Sequence, residues 1–266
     1  MAGGRQSGSP VPCVPVAFDL KCLRARDADP REGRVTAMAL ETRTASFSGL
    51  VDARIQRALQ ELGWSAPTQI EAQVIPSLTM GRDLVGQTDP GPRTTAAFGI
   101  PMLQRLDPRS KAVQGLVLTP TRDQARRVVA DLTKLGAHTR LRIVAVYSGE
   151  PIARQMSRLR EKPHIVVGTP ARVLEHLGKG TLTLRSVHML VLDDADRMLK
   201  MGLRPEVEQI LVRTPSTRQT ALFSAGLPDP IRAMIGRYLR NPIWVTPSQT
   251  PELYQAPRRA QRTAAS

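Results

Sequence analysis

Cysteine is nearly absent: the 266-residue chain has two, Cys13 and Cys22, both near the amino terminus. Two cysteines with no histidine cluster beside them make neither a disulfide framework nor a metal site. Aromatic residues are only 3% of the chain, yet the apolar fraction of 41% is ample for a core. No run reaches the roughly 18 apolar residues a membrane-spanning helix needs. A signal peptide is lacking too, because "VPCVPVAF" is short, broken by prolines and closed by Asp19 and Lys21. The chain reads as cytoplasmic. Acidic residues are the scarcer charge, 23 against 38 Lys and Arg, which leaves +15. That balance points to a polyanionic partner or at least a strong positive field. Charge alone does not separate RNA, DNA and acidic membrane from a merely solvated basic surface.

Residues 1–45 are rich in Gly, Pro, Arg and Ser without a sustained period, and read as a disordered extension. Met38 stands just before the ordered part, so residues 1–37 are the segment of least certain worth. Residues 247–266, Pro-rich, polar and basic, read as a disordered tail. The tails hold little of the net charge, which therefore belongs to the body, 46–246.

Within the body, short apolar runs alternate with amphipathic stretches. The strand candidates are "DLVG", "GLVLTP", "LRIVAVYSG", "HIVVGTP", "HMLVLDDAD", "TALFSAG" and "IWV". Between them lie "TTAAFGIPMLQRL", "RDQARRVVADLTKLG", "PIARQMSRLREK", "PARVLEHLGKG", "GLRPEVEQILVR" and "LPDPIRAMIGRYLR", with apolar residues at helical spacing. Such alternation predicts an α/β domain with a mostly parallel sheet covered by helices on both faces. Ligands of these sheets bind beyond the carboxyl ends of the strands, where "TPTR", "YSGE", "GTPAR", "DDAD" and "FSAG" fall. Each loop alone also reads as an ordinary turn or helix cap.

Their order is more specific. "WSAPTQIEAQVIP", "GQTDPGPRTTAAF", "TPTRDQA", "YSGE", "GTPARV", "VLDDADRML" and "LFSAGLP" resemble the successive motifs of a DEAD-box RNA helicase. The resemblance covers residues 47 to about 245 and implies that family's first RecA-like, P-loop NTPase-type domain. A second RecA-like domain is expected to be absent. The resemblance also implies ATP, Mg²⁺ and an RNA partner bound without regard to sequence, and no membrane partner.

The motifs depart unequally from the family pattern. Phe47, Trp64, Pro67 and Thr68 fit the adenine-reading motif, but Glu71 stands for its glutamine. A glutamine amide both accepts and donates, whereas an ionised carboxylate only accepts. Glu71 is equally readable as a solvated helix residue. In the phosphate loop only Gly91 and Thr95 remain, Thr95 matching the Mg²⁺-binding hydroxyl; Arg93 stands at the last glycine and Thr94 at the lysine. Pro90 and Pro92 offer no N–H, and Arg93 puts bulk where backbone must approach phosphate. A one-residue slip would instead place Arg93 in the lysine's role, with a planar fork for a point charge. By resemblance Asp193 holds Mg²⁺, Asp194 is a base one methylene shorter than glutamate, and Asp196 ties to Ser224 and Ala225. Gly226 replaces a threonine that couples the nucleotide and RNA sites.

Pro120, Thr121, Arg122, Gly149, Thr169, Pro170 and Arg172 match the RNA-binding motifs, while Asp123, Gln124, Ser148 and Ala171 depart from them. Arg122 and Arg172 are the expected phosphate contacts, or else solvated first-turn residues. The leading expectation is a nucleic-acid-binding, helicase-like domain with weak or absent ATP binding and hydrolysis. Two alternatives stay open: an ATP-dependent helicase whose second RecA-like domain comes from a separate protein, and a truncated product with a protein-binding role only.

Overall fold

The computed structural model describes residues 46–89 and 91–246. The expectations for residues 1–45 and 247–266, the two cysteines and Pro90 lie outside the described residues. Two helices come first, α1 (Ala53–Glu61) and α2 (Gln69–Thr79), followed by β1 (Leu84–Gln87), α3 (Pro92–Arg105), β2 (Gly115–Leu118) and α4 (Arg122–Leu135). The chain continues through β3 (Ile143–Val146), α5 (Ile152–Arg160), β4 (Ile165–Gly168), α6 (Pro170–Gly178) and β5 (Met189–Leu192). It closes with α7 (Ala195–Lys200), α8 (Arg204–Val212), β6 (Gln219–Ser224), α9 (Asp229–Tyr238) and β7 (Ile243–Val245).

All seven strand candidates join one sheet of order β3-β4-β2-β5-β6-β1-β7, and every pairing is parallel. Parallel neighbours need crossovers, and the helices supply them. Because side chains alternate across a strand, β1 to β6 each feed two cores, while the edge strand β7 exposes Trp244 on one face. Leu84, Val117, Val167, Val191 and Phe223 face the side covered by α1, α2, α3 and α4. Val85, Leu116, Val166, Leu190 and Leu222 face the side where α6, α8 and α9 contribute Val173, Ile210 and Met234. This double burial is why the strands read as continuous apolar runs. Aliphatic side chains dominate both cores, and the tilted pair Phe98–Phe223, 5.5 Å between ring centroids, sits in the first.

Helices α1, α2 and α7 lie outside the helical stretches expected from periodicity. The first two precede the first strand. The third occupies six residues directly after β5, too short for a period to declare itself. Among the described residues no helix is long and apolar enough to cross a membrane.

The parallel sheet has one consequence for the loops. Every strand ends on the same rim, so Thr88, Asp89, Gly91, Thr119–Thr121, Tyr147–Pro151, Thr169, Asp193–Asp194 and Ser224–Gly226 share that edge.

Candidate functional site

Thr68 caps α2, and the cap organises the first cluster. Its side chain accepts from the Glu71 N–H (3.4 Å), while Glu71 Oε2 accepts from the Thr68 N–H (2.7 Å) and hydroxyl (2.9 Å). This is a reciprocal capping box, and glutamate serves it as well as glutamine does. Glu71 is fully buried, which excludes the solvated reading of that residue. Burial pushes its carboxyl up, against the opposing pull of Thr68 and of the Arg93 charge.

Arg93 comes from the other side of the cluster, in the first turn of α3. Its guanidinium lies over the Trp64 ring (4.3 Å to the centroid), pairs with Glu71 Oε2 (3.0 Å) and donates to the Ala66 carbonyl (2.9 Å). Arg93 thus ties the start of α3 to the start of α2 and the segment before it. Glu71 Oε1, equally buried, has no hydrogen-bond partner among the described residues. Phe47 is buried in the core beneath.

The loop between β1 and α3 also satisfies itself. Thr94 donates its hydroxyl to the Asp89 carbonyl (2.9 Å) and Thr95 to the Gly91 carbonyl (3.3 Å), and both threonines are buried. Gly91 is the N-cap of α3, Pro92 its first residue, and no side chain caps the helix.

After β5 the chain turns sharply. Asp194 adopts the left-handed conformation (φ 65°, ψ 51°), tolerable for aspartate, and starts α7. Asp193 is 3% exposed, and the Gln124 side-chain amide donates to its Oδ2 (3.0 Å). Burial dominates, pushing Asp193 up to about 6, with the neighbouring Asp194 acting the same way and the Gln124 hydrogen bond the opposite way. Asp194 is also raised, first by burial and then by the Asp196 charge. Burial would raise Asp196 as well, but hydrogen bonds from Lys200 and Ser224 bring it below the usual carboxylate range. Asp196 Oδ1 accepts from the Ser224 hydroxyl (2.9 Å) and the Ala225 N–H (3.3 Å), while Lys200 holds Oδ2 (2.9 Å). The structure therefore brings Asp196, Ser224 and Ala225 together across β5 and β6. Beside them Gly226 opens onto space, with nothing within 4 Å of where a Cβ would stand.

On the other half of the rim, Thr121 caps α4 by accepting from the Gln124 N–H (3.3 Å), and Pro120 is buried ahead of it. Arg122 in the first turn is 63% exposed and, among the described residues, makes a long pair with Asp123 (3.6 Å). Its guanidinium lies beside Gly149, whose φ of +95° and lack of a Cβ leave room for it. Arg172 differs. Its side chain is 12% exposed, donates to the Glu150 carbonyl (3.0 Å) and pairs with Glu175 (3.1 Å). It braces the 147–151 loop against α6 instead of standing free at the surface. Pro170 is the buried first residue of α6, and the Thr169 hydroxyl just ahead of it is buried without a hydrogen-bond partner among the described residues.

The bracing continues inward through residues that no motif flagged. Gln155 donates to the Tyr147 carbonyl (2.8 Å) and contacts buried His176 Nε2 (3.1 Å), whose Nδ1 meets the Thr181 hydroxyl (2.8 Å). Burial pushes His176 down. A glutamine and a histidine on otherwise apolar helix faces were the available signals, and they need the third dimension to be paired.

The order of the loops along the rim, and the pairing of Asp196 with Ser224, set the chain beside known proteins. The sequence profile of the DEAD/DEAH box helicase family matches residues 68–234, well over half of the chain. The chain belongs to the DEAD/DEAH box helicase family. It is 44% identical over 194 residues to the DEAD-box ATP-dependent RNA helicase CshA of Bacillus cereus (strain ATCC 10987 / NRS 248), covering 73% of this chain and 37% of that protein. It is likewise 44% identical over 192 residues to the ATP-dependent RNA helicase CshA of Listeria monocytogenes, covering 72% and 37%. The chain thus spans little more than a third of the curated relatives it matches. Among solved structures, a DEAD box protein from the hyperthermophile Methanococcus jannaschii superposes with a TM-score of 0.73 at 33% identity, covering 76% of this chain and 55% of the other. A hypothetical ATP-dependent RNA helicase from Sulfolobus tokodaii gives 0.68 at 32% identity, covering 74% and 57%. The fold is the RecA-like domain of DEAD-box proteins.

Proposed function

We propose that this DEAD-box domain binds RNA through the backbone and binds ATP weakly or not at all. The observation that carries the reading is Arg93, whose guanidinium is held by Trp64, Ala66 and Glu71. A nucleotide loop works by aiming N–H groups and a lysine ammonium at phosphate oxygens. Here Pro92 has no N–H, Thr94 is neutral and turned to Asp89, and the one cation of the loop faces away. Gln124 occupies one oxygen of Asp193, the aspartate that would hold Mg²⁺ by family resemblance. Mg·ATP does not fit these residues as they stand.

The opposite end of the rim supports RNA binding. Arg122 is exposed beside Gly149, and the first-turn N–H groups of α6 favour an anion. Such contacts position a strand without reading bases. The basic body adds a steering field.

Calorimetric titration of the protein with Mg·ATP tests the nucleotide half, with no binding expected at millimolar ATP. A low-micromolar Kd refutes it. Titration with single-stranded RNA tests the other half, where log K should fall with log[salt] by roughly 0.7 per phosphate neutralised. A second reading, ATP hydrolysis, draws on the kinship to the CshA proteins and on the Asp196–Ser224 contact. The ATP titration decides between the two.

A further inference from the structure

We propose that Gln155 and His176 are positioning residues for RNA, fixing the Tyr147–Glu150 loop from inside the domain through a directed chain of hydrogen bonds. Both side chains are fully buried, Gln155 in α5 and His176 near the end of α6. The Tyr147 carbonyl can only accept, and Gln155 Nε2 donates to it (2.8 Å). The amide oxygen of Gln155 is therefore the atom that meets His176 Nε2 (3.1 Å). It follows that Nε2 carries the ring proton and that Nδ1 accepts from the Thr181 hydroxyl (2.8 Å). Burial favours the neutral ring, with the charges of Arg172 and Lys179 acting the same way and that of Glu175 against them.

A satisfied amide–imidazole pair in a core is often packing and nothing more, and apolar groups of the same shape would serve stability about as well. The end point of the chain is what assigns a role. Tyr147 directly precedes Ser148 and Gly149, both exposed at the rim, and Gly149 (φ +95°) lies beside the Arg122 guanidinium. Arg172 holds the other end of the loop by donating to the Glu150 carbonyl (3.0 Å). Carbonyls at both ends of the loop are thus drawn inward by side chains of α5 and α6. Between them, neither Ser148 nor Gly149 gives its N–H to another described residue. Free N–H groups next to a glycine of positive φ, with a guanidinium alongside, are what a phosphate would meet. Their placement is set by the inner anchors, and the Gln155–His176 anchor lies outside every motif read from the sequence.

This role rests on the RNA-binding reading above, and measurements with and without RNA keep the two apart. Binding of labelled oligouridylate would be followed by fluorescence anisotropy, and the Gly149 amide by ¹⁵N NMR in RNA-free protein. Gln155→Met, of similar length but without the amide, should weaken RNA binding roughly tenfold, as should His176→Leu. His176→Gln sets an N–H near the place of Nε2 and should keep affinity within about twofold of the unaltered protein. Met234→Ala, in the buried face of α9, should lower Tm at least as far while leaving RNA affinity unchanged. The Gly149 amide should shift or broaden in Gln155→Met and His176→Leu and stay put in Met234→Ala. Unchanged RNA affinity in Gln155→Met, an equal loss in Met234→Ala, or no rescue by His176→Gln would overturn the proposal.

If neither Gln155→Met nor His176→Leu folds, Thr181→Val removes the donor to Nδ1 at a part-buried position. It should move the Gly149 amide and weaken RNA binding about threefold, and no change in either would overturn the proposal. In the unaltered protein the imidazole ¹⁵N signals should place the proton on Nε2; a neutral ring protonated on Nδ1 would break the chain. Failure of the unaltered protein to bind RNA, with a Gly149 amide that still responds to Gln155→Met, would instead sink the proposed function.

Discussion

Cutting the Arg93–Glu71 pair should reveal how far the two departures from the family pattern depend on each other. Arg93→Ala leaves a fully buried carboxylate with two Thr68 donors and no counter-charge. Removing one partner of a buried ion pair costs about 3–5 kcal/mol, and loss of the stack on Trp64 adds about 1 kcal/mol. The arginine is 31% exposed, however, so water screens part of the pair. A ceiling comes from proton uptake: neutralising a glutamate of ordinary pKa near 4.3 at pH 7 costs roughly 3–4 kcal/mol, and the loss of charge pairing cannot exceed that. A loss of about 2–3 kcal/mol follows. Glu71→Gln keeps an acceptor for the Thr68 N–H and should cost only about 1 kcal/mol. In the double variant no buried charge remains, so the two losses should fall short of additive by about 1–2 kcal/mol. Burial raises Glu71, and removing the Arg93 charge takes away one opposing influence. The folded Arg93→Ala protein therefore holds its proton more tightly than the unfolded chain does. Its deficit should shrink as pH falls towards the glutamate range and grow as pH rises through the folded pKa. Urea unfolding of the four proteins at pH 5 and pH 7.5 measures both effects. Additivity within about 0.5 kcal/mol together with a pH-independent deficit would refute the coupling.

Four further outcomes are expected. Asp193 is pushed up to about 6 by burial, so in metal-free protein its contribution is fully present below about pH 4 and is lost as pH rises through 6. Asp193→Asn should remove that decline, worth on the order of 1–3 kcal/mol, in urea titrations with a chelator between pH 4 and 8; unchanged pH profiles would contradict it. Arg122→Ala should weaken RNA binding for all sequences, lower the salt slope by roughly 0.7, and leave stability within about 0.5 kcal/mol. Arg172→Ala should instead lower stability by about 1–3 kcal/mol through its contacts to Glu150 and Glu175, and a thermally silent Arg172→Ala would show that the bracing is idle. Gly168→Ala would set a Cβ 2.6 Å from the Val146 carbonyl oxygen, between β3 and β4. It should cost about 1–3 kcal/mol by thermal denaturation, while Gly178→Ala, open to solvent within α6, should be neutral or mildly stabilising.

Local order was legible in the residues alone. The central strands announce themselves because both of their faces are buried, so "GLVL", "IVVG" and "MLVL" need no partner to be recognised. The rim position of "DDAD" and "TPAR" follows from parallel strands ending on one edge. What each polar side chain does there was not legible, because it depends on residues far along the chain. Glu71 and Arg93 looked like two separate losses; brought together across α2 and α3, they are one ion pair over an indole. Gln124 read only as a departure from an RNA-binding motif, and the fold sets it 3.0 Å from Asp193, 69 residues away. Arg122 and Arg172 each stand in the first turn of a helix, α4 and α6, yet one is exposed and the other closed on Glu150. Pattern along a chain reports which face is buried, since burial repeats with the helix or strand. Pairing of charges has no period, so only the tertiary structure decides it.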